Sequence, residues 1–467
     1  MTPDPIIVIG GGFAGLSAAT ALAERGVRVL VLEARPSLGG RATAFTDPAT
    51  GERVDNGQHV LVGAYHETFA FLRRLGTDRD VCLQPDLAID VIDRTGRCSR
   101  LACPPLPSPL HLIAGVMRWD AIGWRDRVAV AGMRRAMAGR RRERSHERGD
   151  GETVRQWLVR HGQTSRLIEL LWEPLAVAAL NQSIDEAAGA EFGGVVSRMF
   201  TRDRRDCALG LPRKALDELY AGPARRYIER AGGQVRLGAQ ARVSCGALAL
   251  SEPTGRAEGR PMVHVRDEVL RAHAVICATA WYSLSSVFVD RPAPLAGVLD
   301  AADATQASPI VTVNLWFDRP VTAAMFVGLP GRAMQWVFDK RALFGEESSH
   351  LSLVSSGAVA LVGRENQEII DLALGELRQA LPAARDAVVR RAVVVREKRA
   401  TFSVAPGQPS RPSTCTAVPG LFLAGDWIDT GLPATIESAV VSGHAAAAAA
   451  LDFLESLAGP AKAGPYE

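Results

Sequence analysis

The first forty residues carry a regular succession of apolar runs and glycine turns. The run IIVI at 6–9 has the composition of a buried strand and ends in three consecutive glycines. Residues 16–25 (LSAATALAER) have helical composition and stop at a glycine, and residues 27–33 (VRVLVLE) form a second apolar run. A strand, a glycine turn, a helix and a parallel strand within about 30 residues predict a βαβ unit.

The later segments alternate between helical and strand-like patterns. Residues 65–80 and 100–214 are mainly helical in pattern, and residues 224–243 predict a helix, a Gly-Gly turn and a strand. Further strands are predicted at 272–280, 308–317, 350–362 and 421–425, with helices at 367–381 and 435–451. This mixture of helices and strands predicts an α/β fold.

The composition is that of a folded globular protein. The 467 residues suggest about two or three domains, with 47% hydrophobic and 22% charged residues. A net charge of +3 gives no reason to expect nucleic-acid binding. The seven cysteines lack CxxC pairs and zinc-ligand spacing, so we expect free thiols in a reducing cytosol and no metal site. No apolar run reaches about 20 residues, and MTPDP leads directly into the first strand, so we expect neither a membrane span nor a secretory signal.

Candidate chemistry begins at the glycine turn, Gly10-x-Gly12-x-x-Gly15. In a dinucleotide fingerprint the first glycine permits a tight turn, the second lets the backbone approach a pyrophosphate, and the third lets helix and strand pack closely. The helix that follows offers its N-terminal N–H groups to the phosphates. Glu33, 18 residues past Gly15, ends the second strand, where a carboxylate accepts hydrogen bonds from ribose hydroxyls. The alternative is a structural glycine turn with a solvated glutamate.

The next residues favour one class of dinucleotide. Glu33 is followed by Ala34-Arg35 and then by Gly39-Gly40-Arg41. This E-x5-G-G-R arrangement resembles the FAD-binding superfamily that contains the amine oxidases and carotenoid desaturases. In that superfamily the Gly-Gly-Arg segment follows the pyrophosphate towards the flavin, where Arg41 would add a permanent charge and hydrogen-bond donors. The resemblance therefore implies FAD as the cofactor.

The C-terminal part resembles the same superfamily. The apolar run at 421–426 ends in Gly425-Asp426, where the superfamily's aspartate meets the ribityl chain or the pyrophosphate. Ala434-Thr435-Ile436 opens a helix whose N-terminal amides the superfamily aims at the flavin C2 carbonyl, where negative charge gathers in the reduced ring. Val243 falls where the superfamily places its adenine-contacting strand, with a plain packing role as the alternative.

The segment Asp55-Asn56-Gly57-Gln58-His59 lies where the superfamily places residues beside the isoalloxazine ring. Gln58 and His59 could hydrogen-bond the ring or face the substrate, and His59 could equally be a core histidine. As the catalytic proton donor we predict His59 first, then Asp429 and Thr430, which flank the flavin-side motif. The predicted FAD contacts are Gly10, Gly12, Phe13, Ala14, Gly15, Glu33, Ala34, Arg35, Gly39, Gly40, Arg41, Gly57, Gln58, His59, Val243, Gly425, Asp426, Ala434, Thr435 and Ile436.

Longer strings narrow the resemblance. VDNGQHVLVGAYHETFAFLRRLG, LWEPLAVAALNQSIDEAA, RATFSVAPGQPSRP and LFLAGDWIDTGLPATIESAVVSG resemble the hydroxysqualene dehydroxylase family, FAD enzymes of bacterial squalene and hopanoid biosynthesis. The resemblance covers most of the chain and implies reductive removal of the hydroxyl from hydroxysqualene, giving squalene. The alternatives are a carotenoid or phytoene desaturase, a flavin-stabilised assembly partner without turnover, and an amine oxidase. For an amine oxidase we identify neither the expected lysine near the flavin nor an aromatic pair around it.

The resemblance also implies a domain arrangement. We expect a Rossmann-like α/β FAD-binding domain assembled from discontinuous segments, with an inserted mixed α+β substrate domain. The FAD domain would use residues 1–80, 215–285 and 395–467, and the substrate domain residues 81–214 and 286–394.

A long polyene has negligible solubility in water, so it would reach the protein from a bilayer or directly from an upstream squalene-pathway enzyme. Residues 104–130 mix prolines, aliphatic residues and two tryptophans, and seven arginines against two glutamates follow between 134 and 148. Tryptophan favours the headgroup region and arginine is attracted to anionic lipid. We therefore expect a cytoplasmic protein with peripheral contact at the inner face of the cell membrane; the alternative is a core helix with a solvated basic loop.

Overall fold

The structure is a computed structural model, and it describes residues 4–140, 151–199, 203–245 and 260–458. Its strands are β1 Ile6–Ile9, β2 Val29–Leu32, β3 Ala44–Thr46, β4 Arg53–Asp55, β5 Leu61–Val62, β6 Val81–Leu83, β7 Ala88–Ile92, β8 Cys98–Ala102, β9 Leu209–Pro212, β10 Gln234–Arg236, β11 Ala241–Ser244, β12 Met262–Val265, β13 Glu268–Arg271, β14 Ala274–Cys277, β15 Ala307–Phe317, β16 Phe326–Gly328, β17 Trp336–Asp339, β18 Ser349–Ser356, β19 Val389–Phe402 and β20 Leu421–Leu423.

Its α-helices are α1 Phe13–Glu24, α2 His66–Leu75, α3 Leu110–Arg118, α4 Trp124–Arg140, α5 Val154–Arg160, α6 Ser165–Leu167, α7 Glu173–Leu180, α8 Gly189–Met199, α9 Gly222–Arg230, α10 Trp281–Val287, α11 Ala296–Ala304, α12 Lys340–Phe344, α13 Asn366–Ala380 and α14 Ile436–Ala458. Short turns of other helix types cover Asp78–Asp80, Ile168–Trp172, Arg204–Cys207, Asp217–Ala221, Ala293–Leu295 and Pro382–Ala384.

A five-stranded parallel sheet carries the N-terminal βαβ unit. β1 pairs with β2 on one side and with β14 on the other, and the full order is β10-β2-β1-β14-β20. Four of its strands, β1, β2, β14 and β20, are apolar and buried, as in a parallel sheet covered on both faces, and the edge strand β10 is partly exposed. They come from the beginning, the middle and the end of the chain. This confirms the predicted α/β, Rossmann-like fold assembled from discontinuous segments.

The first and last helices pack directly on each other. α1 begins three residues before its predicted start at 16, because the Leu16 N–H already closes a helical hydrogen bond to the Gly12 carbonyl at 2.9 Å. Gly443 of α14 lies so close to α1 that a Cβ on it would approach the Ala14 carbonyl oxygen to 2.3 Å. The C-terminal helix is thereby fixed against the element that opens the cofactor site.

A seven-stranded sheet forms the other large layer, in the order β19-β15-β18-β17-β16-β7-β8. Its pairs are antiparallel except for β16 and β7, which run parallel. The apolar face of α13, with Ile369, Ala373 and Leu377, packs against this sheet. Most of these strands lie in the ranges expected for the substrate domain, but the domain limits themselves stay a prediction.

Of the two tryptophans in residues 104–130, which we expected to face a membrane, only one is exposed. Trp119 is 2% exposed and its indole N–H donates to the Ser99 hydroxyl at 3.2 Å, so it belongs to the core. Trp124, at the start of α4, is 69% exposed. Residues 141–148 of the arginine-rich stretch lie outside the described residues. None of the helices in the described ranges is long and apolar enough to cross a bilayer.

Candidate functional site

The glycine turn between β1 and α1 leaves no room for side chains. Gly10 has a φ of +112°, and a Cβ on it would lie 2.5 Å from the carbonyl oxygen of Ala278 at the end of β14. A Cβ on Gly15 would lie 1.9 Å from the Gly10 carbonyl oxygen. No side chain caps the start of α1 at Gly12, so the N–H groups of its first turn remain available to a phosphate.

A second glycine loop faces this turn. The N–H of Gly39 donates to the Gly11 carbonyl at 2.9 Å, and a Cβ on Gly40 would lie 3.3 Å from the Cα of Gly12. Gly40 also has a φ of +58°, which favours glycine. The two loops form a narrow cradle with walls of backbone, as the close approach of a pyrophosphate requires.

Aromatic packing between Phe13 and Tyr220 supports the cradle. Phe13 and Ala14, in the first turn of α1, are both buried. The Phe13 ring stacks on Tyr220 with ring centroids 3.6 Å apart, and the Tyr220 hydroxyl donates to the Gly39 carbonyl at 2.6 Å. Phe13 therefore packs on the residue that holds the second loop, and its predicted contact with FAD stays a prediction.

Glu33 ties the turn to the end of β2. Its carboxylate is 7% exposed and accepts from the Gly11 N–H at 2.7 Å and from the Arg35 N–H at 2.8 Å. A carboxylate has about four lone-pair sites, so acceptor capacity remains for ribose hydroxyls. Ala34 and Arg35 are exposed, and the Arg35 guanidinium donates to the Gly40 carbonyl at 3.0 Å. Glu33, the predicted acceptor for the ribose hydroxyls, thus also helps to fix the two glycine loops.

Arg41 and Asp426 join the two ends of the chain in an ion pair. Arg41 also donates to the Ala400 carbonyl at 2.8 Å, and its guanidinium lies 5.3 Å from the centroid of the Trp281 ring. Burial lowers the pKa of Arg41, but the adjacent Asp426 carboxylate outweighs that effect and raises it. Asp426 follows Gly425, which has a φ of +151° and lies two residues beyond the end of β20. These residues, predicted from separate motifs, meet at one place.

The residues at the start of α14, the helix that follows Asp426, bond mainly to one another. Thr435 accepts from the Ser438 N–H at 3.1 Å and so caps α14, between the half-buried Ala434 and Ile436. The Thr430 hydroxyl pairs with the Ser438 hydroxyl at 2.7 Å. Asp429 is 57% exposed and lies 3.4 Å from Arg411. A surface carboxylate of this kind is poorly placed to protonate a leaving group in a dry pocket.

Val243 lies on β11, an outer strand of the three-stranded sheet β11-β12-β13. Its side chain is fully buried, and its carbonyl accepts from the Val289 N–H at 2.9 Å. The segment just before β11 does reach the cofactor side, because the Ala239 N–H donates to the Glu33 carbonyl at 2.9 Å.

The segment Asp55–His59 carries a buried charge pair that the sequence interpretation missed. Lys340, the first residue of α12, is 1% exposed. Its ammonium lies 2.7 Å from Asp55 Oδ2 and 2.7 Å from Gln58 Oε1. Its pKa is lowered by burial, which the Asp55 carboxylate opposes. Burial also lowers the pKa of His59, against the opposing charge of Asp55, so His59 is neutral at pH 7.

Several buried polar atoms in this region have no partner among the described residues. They are Asn56 Oδ1, His59 Nδ1, Thr279 Oγ1 and Thr312 Oγ1. Asn56 donates its amide to the Arg41 carbonyl, and Thr312 lies 3.8 Å from the position of a Cβ on Gly57. Buried polar groups normally find partners, so these atoms fit a bound molecule with polar edges. Together with the glycine cradle and Arg41, the residues present fit FAD.

Lys340 and Thr312 escaped prediction for the same reason. Each lies in or beside an apolar strand, Thr312 within PIVTVNLWF and Lys340 directly after WVFD, with no accompanying motif. A lone lysine between two apolar runs is the only local signal.

Comparisons with known proteins agree with this geometry. The profile of the family described as "Flavin containing amine oxidoreductase" matches residues 13–451. A hydroxysqualene dehydroxylase from Zymomonas mobilis subsp. mobilis is 28% identical over 454 residues, covering 95% of this chain and 98% of that protein. A 15-cis-phytoene desaturase from Glycine max is 26% identical over 474 residues, covering 98% of this chain and 81% of that protein. The predicted resemblance to hydroxysqualene dehydroxylases is thereby confirmed.

Solved structures support the fold alone. Cyclohexylamine oxidase from Brevibacterium oxydans IH-35A superposes with a TM-score of 0.68 at 18% identity, covering 97% of this chain and 100% of that chain. An oxidoreductase from Methanosarcina mazei gives a TM-score of 0.69 at 18% identity, covering 94% of this chain and 99% of that chain. With the family profile matched over nearly the whole length, the chain belongs to the flavin containing amine oxidoreductase family and is an FAD-dependent oxidoreductase.

Proposed function

We propose that this FAD-dependent oxidoreductase removes the hydroxyl group of hydroxysqualene reductively and releases squalene. The observation that carries the proposal is the similarity, over nearly the whole chain, to proteins named hydroxysqualene dehydroxylase. The protein of that name from Zymomonas mobilis subsp. mobilis is 28% identical over 95% of this chain, and the one from Sinorhizobium fredii is 27% identical over 96%.

In this reaction one carbon–oxygen bond breaks, one carbon–hydrogen bond forms, and water leaves. Reduced FAD supplies two electrons and one hydrogen to the carbon, and a second proton must reach the departing oxygen. Hydroxide is a poor leaving group, so protein groups have to donate to that oxygen in a pocket that excludes water. The substrate side must combine an apolar lining with a few hydrogen-bond donors.

An apolar cluster begins directly after the segment that carries Gln58 and His59. Val60 follows His59 and packs in this cluster with side chains of β7, β9, β15, β17 and α12. Its half-buried members are Val60, Ile89, Leu209, Ile310, Trp336 and Phe344. An apolar lining with a few polar groups is typical of sites that hold hydrocarbon ligands. We propose this cluster, called the apolar lining below, as the wall against which the polyene lies.

Among the three predicted catalytic residues, His59 has the best position. It directly precedes Val60 of the apolar lining, and its Nδ1 atom is buried with no partner in the part of the chain that the structure describes. Because burial lowers its pKa, His59 contributes a neutral N–H or an acceptor and not a charged imidazolium. Thr430 is already bonded to Ser438, and Asp429 lies at the surface. We therefore retain His59 as the candidate.

The proposed domain division follows the two large sheets. The FAD domain would comprise 1–80, 215–285 and 395–467, and these ranges contain the strands of the parallel sheet. The substrate domain would comprise 81–214 and 286–394, which contain most strands of the seven-stranded sheet. The apolar lining lies where the segment 55–60 meets strands of that second sheet.

Peripheral membrane contact is part of the proposal, because an isoprenoid of this length has to be collected from lipid or from an upstream pathway enzyme. On the surface, α3 and α4 expose the apolar side chains of Leu110, Met117, Trp124 and Val128. Exposed apolar groups at this density suit the interfacial region of a bilayer. The protein would act in the cytoplasm at the inner face of the cell membrane.

The second candidate is a desaturase acting on a carotenoid precursor such as phytoene. It is favoured by the 26% identity to the Glycine max enzyme over 98% of this chain. A desaturase removes hydrogens from its substrate and has no oxygen to protonate, so it has less use for hydrogen-bond donors beside the apolar lining.

The experiment starts from purified holoprotein reduced anaerobically with dithionite. It is mixed with hydroxysqualene, phytoene or an alkyl amine in detergent, and flavin absorbance is followed at the oxidised maximum. We expect reoxidation with hydroxysqualene only, with one squalene formed per flavin. An oxidised holoprotein that is instead reduced by phytoene would establish the desaturase. Absence of reaction with every compound would leave a flavin-binding partner without turnover and refute the proposal.

A further inference from the structure

Lys340 is a buried positive charge that the reaction described above does not use directly. An ammonium group has three N–H donors and no acceptor. Two of its donors are directed to Asp55 Oδ2 and Gln58 Oε1, each at 2.7 Å. Its Nζ also lies 3.6 Å from the centroid of the Phe344 ring, as a cation over an aromatic face. The ammonium is thus surrounded by protein and does not itself meet a ligand.

The charge of Lys340 is balanced within the protein. Asp55 is 4% exposed, and its second carboxylate oxygen accepts from the Leu216 N–H at 3.3 Å. A buried ion pair is strongly destabilised when one partner is removed, whereas an apolar pair of similar volume is often as stable. A contribution to stability is therefore a weak explanation for the Lys340–Asp55 pair. Its position beside Gln58 suggests that it has another role.

The contact with Lys340 determines which way the Gln58 amide points. The oxygen and nitrogen of a glutamine side chain look alike by shape, but only the oxygen can accept from an ammonium. The Gln58 nitrogen must therefore lie on the side away from Lys340. One of its N–H groups makes a long contact of 3.4 Å to the His59 carbonyl, and the other has no acceptor among the described residues.

The Gln58 side chain is connected to the apolar lining in two ways. Val60 lies two residues further along the chain, and the Lys340 ammonium that contacts Gln58 Oε1 also lies 3.6 Å from the centroid of the Phe344 ring. A polar N–H beside an apolar lining favours ligands that carry an acceptor, because it is left unpaired with any other ligand. Hydroxysqualene carries one such oxygen, and squalene carries none.

We propose that Lys340 is a positioning residue that orients Gln58, so that the Gln58 N–H donates a hydrogen bond to the substrate hydroxyl oxygen. This inference rests on the proposed function and names the group that would recognise the departing oxygen. Gln58 touches the substrate, whereas Lys340 and Asp55 act through it. The hydrogen bond stabilises the oxygen as its bond to carbon lengthens, and it separates substrate from product.

The test measures binding to the oxidised holoprotein, in which no turnover occurs. Hydroxysqualene and squalene are titrated separately in the same detergent, and the perturbation of the flavin spectrum gives the two dissociation constants. A hydrogen bond between neutral groups predicts that wild type binds hydroxysqualene roughly two- to tenfold more tightly than squalene. The ratio cancels general effects on folding, FAD content and detergent.

Two variants remove the donor in different ways. Lys340→Met leaves the Gln58 amide free to rotate, and Gln58→Glu keeps an acceptor for Lys340 but has no N–H. In both, the ratio should fall to about one while squalene binding changes little. Combined in one protein, the two substitutions should have no further effect on the ratio, because they break the same interaction. Lys214→Met is the matched control, since Lys214 pairs with Asp80 at 3.0 Å on the surface.

If Gln58→Glu keeps the preference for hydroxysqualene, the inference is wrong, whether or not Lys340→Met folds. Preference retained in a folded Lys340→Met holoprotein would also overturn it. A wild type that shows no preference and is not reoxidised by hydroxysqualene would instead overturn the proposed function, and this inference with it. The two failures are therefore distinguishable.

Discussion

The carboxyl group of Glu346 lies 3.1 Å from Nδ1 of His350, within hydrogen-bonding distance. Burial raises the pKa of Glu346 from 4.5 to about 8, helped by the negative charge of Glu52. Burial also lowers the pKa of His350 from 6.5 to about 3. At pH 7 a protonated Glu346 therefore donates to a neutral His350, whose Nε2 lies 3.1 Å from Asn314 Oδ1.

This arrangement predicts an unusual dependence of stability on pH. Above its unfolded pKa of 4.5 and below about 8, Glu346 holds a proton in the folded state only, so stability falls as pH rises. Between about 3 and 6.5, His350 takes up a proton only when unfolded, so stability rises with pH. The two effects oppose each other between pH 4.5 and 6.5, and the Glu346 effect acts alone between 6.5 and 8.

Glu346→Gln should remove the loss of stability between pH 6.5 and 8, a slope of up to about 1.4 kcal/mol per pH unit. Below pH 6.5 the variant should lose stability more steeply than wild type, because His350 is no longer offset. Thermal unfolding at saturating FAD measures both changes. The neighbouring exposed residue gives the control, Glu347→Gln, which should follow wild type. Parallel pH profiles for wild type and Glu346→Gln would contradict the raised pKa of Glu346.

Glu33 should be needed for FAD affinity. Glu33→Ala removes the acceptor for ribose hydroxyls and leaves the N–H groups of Gly11 and Arg35 without a partner. The loss of a charge-assisted hydrogen bond predicts an affinity about ten- to a hundredfold weaker. Glu33→Gln keeps one acceptor oxygen and should fall in between. Fluorescence titration of apoprotein with FAD measures this, and Glu24→Ala, at the exposed end of α1, should bind normally.

Trp124 should contribute to binding of lipid vesicles. At 69% exposure it offers a large apolar surface to the interface, and Trp124→Ser should weaken vesicle affinity about tenfold. Val269→Ser removes an exposed apolar side chain from β13, outside residues 104–130, and should have no effect. Flotation with vesicles containing anionic lipid measures both. Equal flotation of Trp124→Ser and wild type would place the membrane contact elsewhere.

The parallel sheet was predictable because its signals are local. β1, the glycine turn, α1 and β2 lie within one stretch of about 30 residues, and each has its own apolar run or glycine. The strand predicted at 350–362 was too long, since Gly357, with a φ of +59°, turns the chain after Ser356. Trp119 was assigned to a membrane-facing surface because composition does not distinguish a buried tryptophan from an exposed one.

In the polar part of the site, Gln58 and His59 were predicted only from the family resemblance, and Lys340 and Thr312 were not predicted. Lys340 lies 285 residues from Asp55 and 282 residues from Gln58 in the chain. No periodicity or spacing rule connects positions so far apart. The lysine comes next to Asp55 and Gln58 only in the folded protein, where it follows β17, the neighbour of β18. The same holds for Thr312, whose unpaired hydroxyl is visible only once Gly57 lies against β15.

The ion pair between Arg41 and Asp426 also has a consequence for the order of events during synthesis. The two residues are 385 positions apart, so at about 5–20 residues per second a ribosome adds the second roughly 20–80 s after the first. Throughout that interval the nascent chain has the glycine cradle but lacks β20 and α14, which cover it. FAD can therefore be fully enclosed only after β20 and α14 have been synthesised, and until then the protein has to remain soluble with its central sheet open along one edge.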